Sequence, residues 1–189
     1  MKTKVESFEN LVNALESLPS IGKKSAQRMA YHMVMEDHFG ALKIAHAIEK
    51  AVESVRRCER CGAMSEDELC PVCSDMGRDH TKLCIVEHAK DILQIEAGGD
   101  YDGTYFVVES AEHLDGRRLV ERIEEGVEEV IFAFSPSIAT DAMILFIEEK
   151  LGEYDLVFTK IAQGVPTGVS LENIDMLSLS RAMQERVKL

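Results

Sequence analysis

Residues 58–73 read CERCGAMSEDELCPVC, and this stretch decides how the chain is organised. It contains two CxxC pairs, Cys58 with Cys61 and Cys70 with Cys73, and eight residues separate the pairs. A CxxC turn directs two thiolates toward one ion, and two such turns complete a tetrahedral shell of four thiolates. The spacing therefore predicts a structural Zn²⁺ site, because four protein ligands leave no position for an activated water.

Cysteine pairs also occur in redox-active sites and in disulfides, but the surrounding sequence argues against both. Redox-active CxxC pairs belong to a thioredoxin-like βαβ unit that these flanks do not resemble, and disulfides are not expected without an export signal. An iron–sulfur cluster remains the main alternative metal centre. The fifth cysteine, Cys84, precedes Ile85 and Val86 and is predicted to be a small buried hydrophobe.

The composition is that of a folded globular chain with an uneven charge distribution. Of its 189 residues, 46% are hydrophobic and 29% are charged, and the net charge is −13. Residues 1–50 carry a net charge of +1, whereas residues 104–153 carry −8. The first ten residues lack the apolar core of a signal peptide, and no apolar run approaches the roughly 18 residues of a membrane span. We therefore expect a cytoplasmic protein with no membrane partner. We also expect the N-terminal part, which is not acidic overall, to be able to bind an anion.

Helical periodicity precedes the cysteines. Apolar residues predict a helix over 5–17 that stops at Pro19, a second helix from Lys23, and a third over about 38–56. The apolar positions are Phe8, Leu11, Val12, Leu15 and Leu18 in the first, Ala26, Met29, Ala30, Met33 and Val34 in the second, and Leu42, Ala45, Ile48, Val52 and Val55 in the third. The first 56 residues are thus predicted to form an all-helical module.

After the cysteines, which we expect to lie in a compact loop without regular elements, strands alternate with helices. Strands are predicted at 83–87, 104–109, 129–134 and 155–162, with helices at 113–126 and 141–152 and a terminal helix or tail at the end. This alternation predicts right-handed crossovers and a largely parallel sheet. The fold class is therefore α+β in several parts. The predicted divisions are a helical module (1–56), a zinc finger (57–80), an α/β domain (81–167) and a C-terminal assembly segment (168–189).

One segment of this acidic chain has no Asp or Glu: LPSIGKKSAQRMAYHMV, residues 18–34. A tight turn ending at Gly22 leads into a helix that begins with Lys23 and Lys24, and Arg28 lies on the same helical face as Lys24. Unpaired amides at a helix N-terminus attract phosphate, and the lysines add positive charge. The segment predicts a phosphate site. The alternative is an amphipathic helix with solvated cations.

The turn resembles the helix-hairpin-helix motif, whose hairpin grips a DNA backbone without reading its sequence. The hairpin, the four-cysteine finger, the segment LCIVEHAKDILQIE and the later IAQGVP follow in the order of the bacterial recombination mediators called RecR, which the chain resembles over about residues 8–187. The resemblance implies a Toprim α/β domain and ring-forming homo-oligomers, dimeric or tetrameric. It also implies that the chain loads recombinase at gapped DNA with the partners RecO and RecF.

Toprim enzymes hold Mg²⁺ on a Glu after the first strand and an acidic pair after a later one. Glu87 matches the first position, Asp91 follows it at a helix start, and Asp141 is the one acid of the later cluster, because Ala139 stands where an acid is expected. A hard cation prefers several oxygen ligands, so Mg²⁺ binding is doubtful and catalysis is not expected. Capping of strand and helix ends is an equally good interpretation of Glu87 and Asp141. The resemblance also implies that this acidic surface contacts RecO.

Two further segments bear on assembly. Residues 109–116 are shorter and more acidic than the Gly-rich stretch of the family, which leaves partner contacts or ring geometry open. Residues 164–168, GVPTG, keep the family spacing and predict either a subunit-contact loop or a turn before the last helix.

Three functional hypotheses are consistent with this sequence. The first is a DNA-binding mediator that is not an enzyme and that uses Gly22, Lys23, Lys24 and Arg28. The second is a Mg²⁺-dependent Toprim nuclease or primase-like enzyme, whose turnover would vanish on Glu87→Gln. The third is a zinc-dependent transcriptional or ribosomal interaction module with no preference for duplex or gapped DNA. We favour the first.

Overall fold

The structure is a computed structural model that describes residues 5–110, 112, 114–162 and 168–184. The chain forms two compact units, one ending at Val55 and the other beginning at Arg56. The cysteine-rich stretch therefore belongs to the same unit as the strands that follow it. Within the described ranges, no helix combines the length and the apolar character that crossing a bilayer requires.

The N-terminal unit contains three helices and confirms the helical module. They are α1 (Glu6–Glu16), α2 (Lys23–Tyr31) and α3 (His38–Ser54), and a π-helical turn, His32–Glu36, joins the last two. Helices α1 and α2 pack around a small core of Val12, Ala26 and Ala30. The two alanines lie four residues apart on one face of α2, and their small side chains let the helices approach closely.

Helix α3 forms as predicted, but its apolar face is not covered by the described residues of its own unit. It is capped by Asp37, whose side-chain oxygen accepts a hydrogen bond from the Gly40 amide at 2.8 Å. None of its residues, all of which the structure describes, is buried. Leu42, Ile48 and Val52 are 71%, 59% and 78% exposed. A helix face that exposes several large apolar side chains is characteristic of an interaction surface.

The cysteine-rich stretch has more regular structure than the predicted loop. Strands β1 (Arg56–Arg57) and β2 (Met64–Ser65) pair antiparallel, and a short helix, α4, covers Pro71–Ser74. The prediction of no regular element here was wrong, because paired turns around a metal site bring backbone segments close enough to hydrogen-bond, and composition alone does not reveal this. Cys70 caps α4, its sulfur accepting from the Cys73 amide.

A four-stranded parallel sheet forms the centre of the second unit. In chain order its elements are β3 (Asp79–Val86), α5 (Ala89–Gly98), β4 (Gly103–Val107), α6 (Gly116–Glu124), β5 (Glu129–Ala133), α7 (Ile138–Lys150) and β6 (Val157–Lys160). The strand order is β4-β3-β5-β6, and every neighbouring pair is parallel. The predicted parallel sheet is confirmed, with crossover helices between successive strands.

Side chains of β3 alternate between two cores. Leu83 and Ile85 join an apolar cluster with residues of α6 and α7. Cys84 and Val86 join a second cluster that includes all four cysteines of the CxxC pairs. The finger is therefore packed directly against one face of the sheet. Cys84 itself is 3% exposed, which confirms the buried hydrophobe, and burial raises the pKa of its thiol to about 12.

The chain continues after the sheet with a 3₁₀ turn at Leu171–Asn173 and helix α8 (Met176–Gln184). Of the two predicted forms, a terminal helix or a tail, the described residues up to Gln184 show the helix. Most of the predicted contact loop at 164–168 lies outside the described residues. Gly168, which is described, has a φ of +83°, in the left-handed region that glycine adopts readily.

Candidate metal centre and nucleic-acid interface

The four cysteines of the CxxC pairs converge on one point. Cys58, Cys61, Cys70 and Cys73 are 0–4% exposed, and their sulfur atoms all lie within 4.8 Å of one another. The Cys61 and Cys70 sulfurs are 3.6 Å apart. A tetrahedron with Zn–S bonds of about 2.3 Å has S···S edges of about 3.8 Å. An iron–sulfur cluster would hold the thiolates farther apart, because inorganic sulfide lies between them, so the geometry fits a single ion.

Backbone amides point at the sulfur atoms. The amides of Ala63, Cys70 and Cys73 donate to the sulfurs of Cys61, Cys58 and Cys70 at 3.4, 3.3 and 3.4 Å. Such bonds stabilise thiolate over thiol and orient each ligand. The two CxxC turns therefore stabilise ionised cysteine sulfurs.

The ionisation of the cysteines also favours a bound cation. The hydrogen bond between the two thiols lowers the pKa of Cys70 and raises that of Cys61. One thiolate therefore forms readily, while the next ionisation is opposed by the charge already present. A divalent ion with tetrahedral preference would allow all four to ionise, and the donor set is the one that Zn²⁺ takes in structural sites.

The turn between α1 and α2 takes its shape from Ser20. Ser20 has a φ of +64°, and it is this residue that takes the left-handed backbone. Gly22 is extended, with φ −89° and ψ 165°, and a Cβ placed there would meet no atom within 4 Å. Gly22 therefore keeps the surface before α2 open to a large group, although the turn does not need a glycine conformation at this position.

The amino end of α2 presents free donors and positive charge. Lys23, Lys24 and Arg28 are exposed, and none of them forms an ion pair with the described residues. No side chain in the described part of the chain caps α2, so its first amides are available to an external acceptor. An anion here would meet backbone donors, the positive end of the helix dipole and cationic side chains.

An open groove of about 860 Å³ lies beside these cations. It is lined by Phe8, Lys24, Gln27, Arg28, Met29, Tyr31, His32 and Glu36. The structure thus brings Lys24 and Arg28 together, whereas Lys23 lies outside the groove lining. Tyr31 is 52% exposed and offers an apolar ring next to the two cations.

The predicted Toprim acids occupy three different settings. Glu87 follows β3 directly, and its carboxylate accepts from the Ser135 amide at 3.2 Å. Asp91 accepts from the His88 amide at 2.9 Å and so caps α5. Asp141 lines a separate groove of about 410 Å³ with Lys160. The structure does not bring the three carboxylates together.

Glu87 instead shares a cavity of about 360 Å³ with two acids that the sequence did not single out, Glu109 and Glu112. Ala139 lines the same cavity, so the position where an acid was expected does face Glu87. The carboxyl ends of neighbouring parallel strands meet at one edge, and Glu109 lies two residues beyond β4, which was the available signal. Among the described residues, only the four cysteines are grouped closely enough to hold a metal ion.

Comparison with known proteins agrees with this arrangement of parts. The family model for the RecR helix-hairpin-helix matches residues 8–52, the model for the four-cysteine zinc finger domain of RecR matches residues 55–75, and the model for the Toprim domain matches residues 81–162. The fold and its site thus define a protein with a helix-hairpin-helix module, a four-cysteine zinc finger and a Toprim domain.

Full-length relatives then identify the family. The chain is 60% identical over 190 residues to "Recombination protein RecR" of a Nitratiruptor species, with 100% of each chain covered. It is 50% identical to the protein of that name from Helicobacter pylori (strain Shi470), covering 99% of this chain and 97% of the relative. It is 45% identical to that from Campylobacter jejuni subsp. doylei, covering 98% of each. The chain belongs to the RecR family of recombination proteins.

Proposed function

We propose that the chain is a mediator of recombinational DNA repair that binds duplex and gapped DNA through phosphates and, with RecO and RecF, loads recombinase at gaps. The observation that carries this proposal is the uncapped, cationic amino end of α2, with Lys24 and Arg28 on one open groove. Ammonium and guanidinium groups with backbone amides bind phosphate without reading bases, so the binding would be independent of sequence. The chain would act in the cytoplasm at the nucleoid.

The cysteine quartet would hold one structural Zn²⁺ per chain through Cys58, Cys61, Cys70 and Cys73. Bound there, the ion supplies a tetrahedral cross-link and no reactive position. Since the cysteines share a core with Val86, the cross-link would also fix the finger to the sheet. We propose that residues 1–56 bind DNA and provide one subunit contact through α3, residues 57–80 brace the module, residues 81–167 recruit partners, and residues 168–189 provide further assembly contacts.

The Toprim domain would recruit partners and not catalyse a reaction. Glu87 receives a backbone hydrogen bond, Asp91 caps a helix, and Asp141 lies at another groove. A Mg²⁺-dependent nuclease would require several carboxylates around one ion. The acids around the Glu87 cavity offer instead a negative surface, to which a basic face of RecO would fit.

Self-association would supply the affinity that one module lacks. The apolar face of α3, which includes Leu42, Ile48 and Val52, is exposed in the single chain, and a matching face on a second copy would cover it. A dimer, or a ring of four, would place several phosphate sites on one DNA. Linked sites raise the effective concentration of each other and increase the overall affinity by large factors.

Leu42→Asp tests this assembly. Leu42 is 71% exposed in the single chain, so the change should leave the fold intact but place a charge in the subunit contact. In sedimentation velocity, we expect the wild-type chain to run as a dimer or larger and to co-sediment with a duplex. The variant should run as a monomer and bind duplex at least about tenfold more weakly, because avidity is lost.

Ala47→Asp is the matched control, since it adds the same charge to an exposed position on the opposite side of α3. It should sediment like the wild-type chain. A wild-type chain that is monomeric at all concentrations, with or without duplex, would refute the proposed assembly.

A further inference from the structure

Two arginines and one glutamate, of which only Arg122 is buried, form a charge cluster between the finger and the sheet. Arg60 lies inside the first CxxC pair, and Arg122 lies on α6 with only 2% of its surface exposed. Glu125 accepts from Arg60 Nη2 at 2.5 Å and, with the same oxygen, from Arg122 Nη1. Arg122 Nη2 also donates to Thr104 Oγ1 on β4 at 2.9 Å. The cluster thus joins the finger, α6 and the sheet.

The charges within this cluster do not balance. One carboxylate, that of Glu125, faces two guanidinium groups, so a net positive charge is left around the Arg122 side chain, which is 3% exposed. The Nε groups of Arg60 and Arg122 are also buried, with no hydrogen-bond partner among the described residues. Burying an unpaired cation is costly, and such groups persist where a negative charge lies nearby.

A second source of negative charge, besides Glu125, is the cysteine quartet. Arg60 Nη1 donates to the backbone oxygen of Cys73 at 3.4 Å. Burial lowers the pKa of Arg122 and repulsion from Arg60 adds to this effect, whereas attraction from Cys73, Cys61 and Cys58 acts in the opposite direction. Arg122 is joined to Arg60 through one oxygen of Glu125, which accepts from both side chains.

Four thiolates around one Zn²⁺ carry a net charge of −2, and this charge is buried among apolar residues. The amides that point at the sulfurs supply partial charges only, whereas Arg60 and Arg122 supply full ones. Placement of a cation next to a buried anion offsets its desolvation cost. Arg60 and Arg122, which share the single carboxylate of Glu125, thus offer positive charge to the thiolates of the metal site.

We propose that Arg60 and Arg122 are positioning residues of the metal centre, whose positive charge stabilises the tetrathiolate and couples metal retention to the packing of α6 on the sheet. This inference rests on the proposed Zn²⁺ binding and extends it beyond the four ligands. Because these residues would act on the ligands through charge, a side chain that keeps the charge should preserve the function, and one that only keeps hydrogen-bonding capacity should not.

Arg60→Lys and Arg60→Gln separate charge from hydrogen bonding, because both replacements can donate but only lysine is cationic. The Arg60 side chain is 25% exposed, so both variants should fold. Zinc affinity of the full-length chain is measured by competition with a chromogenic chelator. We expect Arg60→Gln to weaken it by about 10- to 100-fold, the usual effect of losing an outer partner of a ligand, and Arg60→Lys to stay close to wild type. Arg122→Gln should weaken it at least as much.

Arg117→Gln is the control, since Arg117 lies on the same helix as Arg122 but its side chain is 89% exposed. It should leave zinc affinity unchanged. If Arg60→Gln binds zinc as tightly as the wild-type chain, or if Arg60→Lys loses as much affinity as Arg60→Gln, the proposal is wrong although the zinc site stands. If the wild-type chain itself takes up no zinc, the proposed metal centre fails, which is a distinct outcome.

Discussion

Cys70→Ser is expected to remove zinc from the chain and to lower its melting temperature by about 10 °C or more. Loss of a structural metal is among the few single changes that cost more than about 4 kcal/mol, and 1 kcal/mol shifts the melting temperature of a chain of this size by about 2–4 °C. Cys70 contributes a sulfur that also accepts the Cys73 amide and caps α4, so its loss affects both the ion and the turn. Metal content is measured by atomic emission, and melting by far-ultraviolet circular dichroism.

Cys84→Ser provides the control for this experiment. Cys84 and Cys70 are each 3% exposed, and both belong to the same apolar cluster, but Cys84 is not one of the four converging residues. The control should lose some stability from the buried hydroxyl and still hold one zinc per chain. A Cys70→Ser chain that keeps its zinc, or that melts like the wild-type chain, would show that the quartet does not act as a metal-dependent cross-link.

Lys24→Glu/Arg28→Glu should weaken duplex binding by on the order of 100-fold near 0.1 M salt, because each copy exchanges two phosphate contacts for two repulsions. Both side chains are exposed and line one groove, and neither has an ion-pair partner in the described part of the chain, so folding and zinc content should not change. Fluorescence anisotropy of a labelled duplex measures the effect. Substitution of a phosphate contact should weaken binding to every sequence alike.

The control variant is Lys43→Glu/Lys50→Glu, which makes the same change in charge at two exposed positions on the polar side of α3. A general effect of net charge would weaken both variants equally. Phosphate binding at α2 requires the α2 variant to lose far more affinity than the control, and equal losses would move the DNA site away from α2.

Periodicity and alternation were sufficient to predict the main elements. The apolar positions of α1 and α2 repeat at the helical period, and β-branched runs separated by helical stretches imply parallel strands. The structure confirms both, with the cysteines converging as their spacing requires. These features are local, so the sequence carries them without reference to the rest of the molecule.

What covers an apolar face cannot be read from the sequence. The pattern of α3 shows an amphipathic helix, but nothing in it distinguishes a face buried in the chain from one left for a partner. Likewise, the spacing of the cysteines predicts their ligand shell but not the sheet against which they pack. Cys84 and Val86 point to the same face of β3, but the sequence does not say that this face is the one covered by the finger.

The acidic site shows the same limit. Asp91 and Asp141 were predicted from their positions along the chain. The structure instead places Glu87 with Glu109 and Glu112, which lie in neighbouring loops at the carboxyl edge of the sheet. The buried Arg122 was also unpredictable, because an exposed cation on an amphipathic helix has the same sequence signature. Such pairings depend on tertiary placement.

If several copies of the cationic end of α2 hold one DNA by its phosphates, duplex binding must depend steeply on salt. The logarithm of the association constant falls against the logarithm of salt concentration with a slope of about −0.9 for each phosphate contacted. The three cations of one chain would give at most about −2.7. We expect titrations of a labelled duplex at several salt concentrations to give a steeper slope, since more than one copy binds each duplex. A slope near zero, or no binding to duplex in dilute buffer, would contradict phosphate binding by an assembled protein.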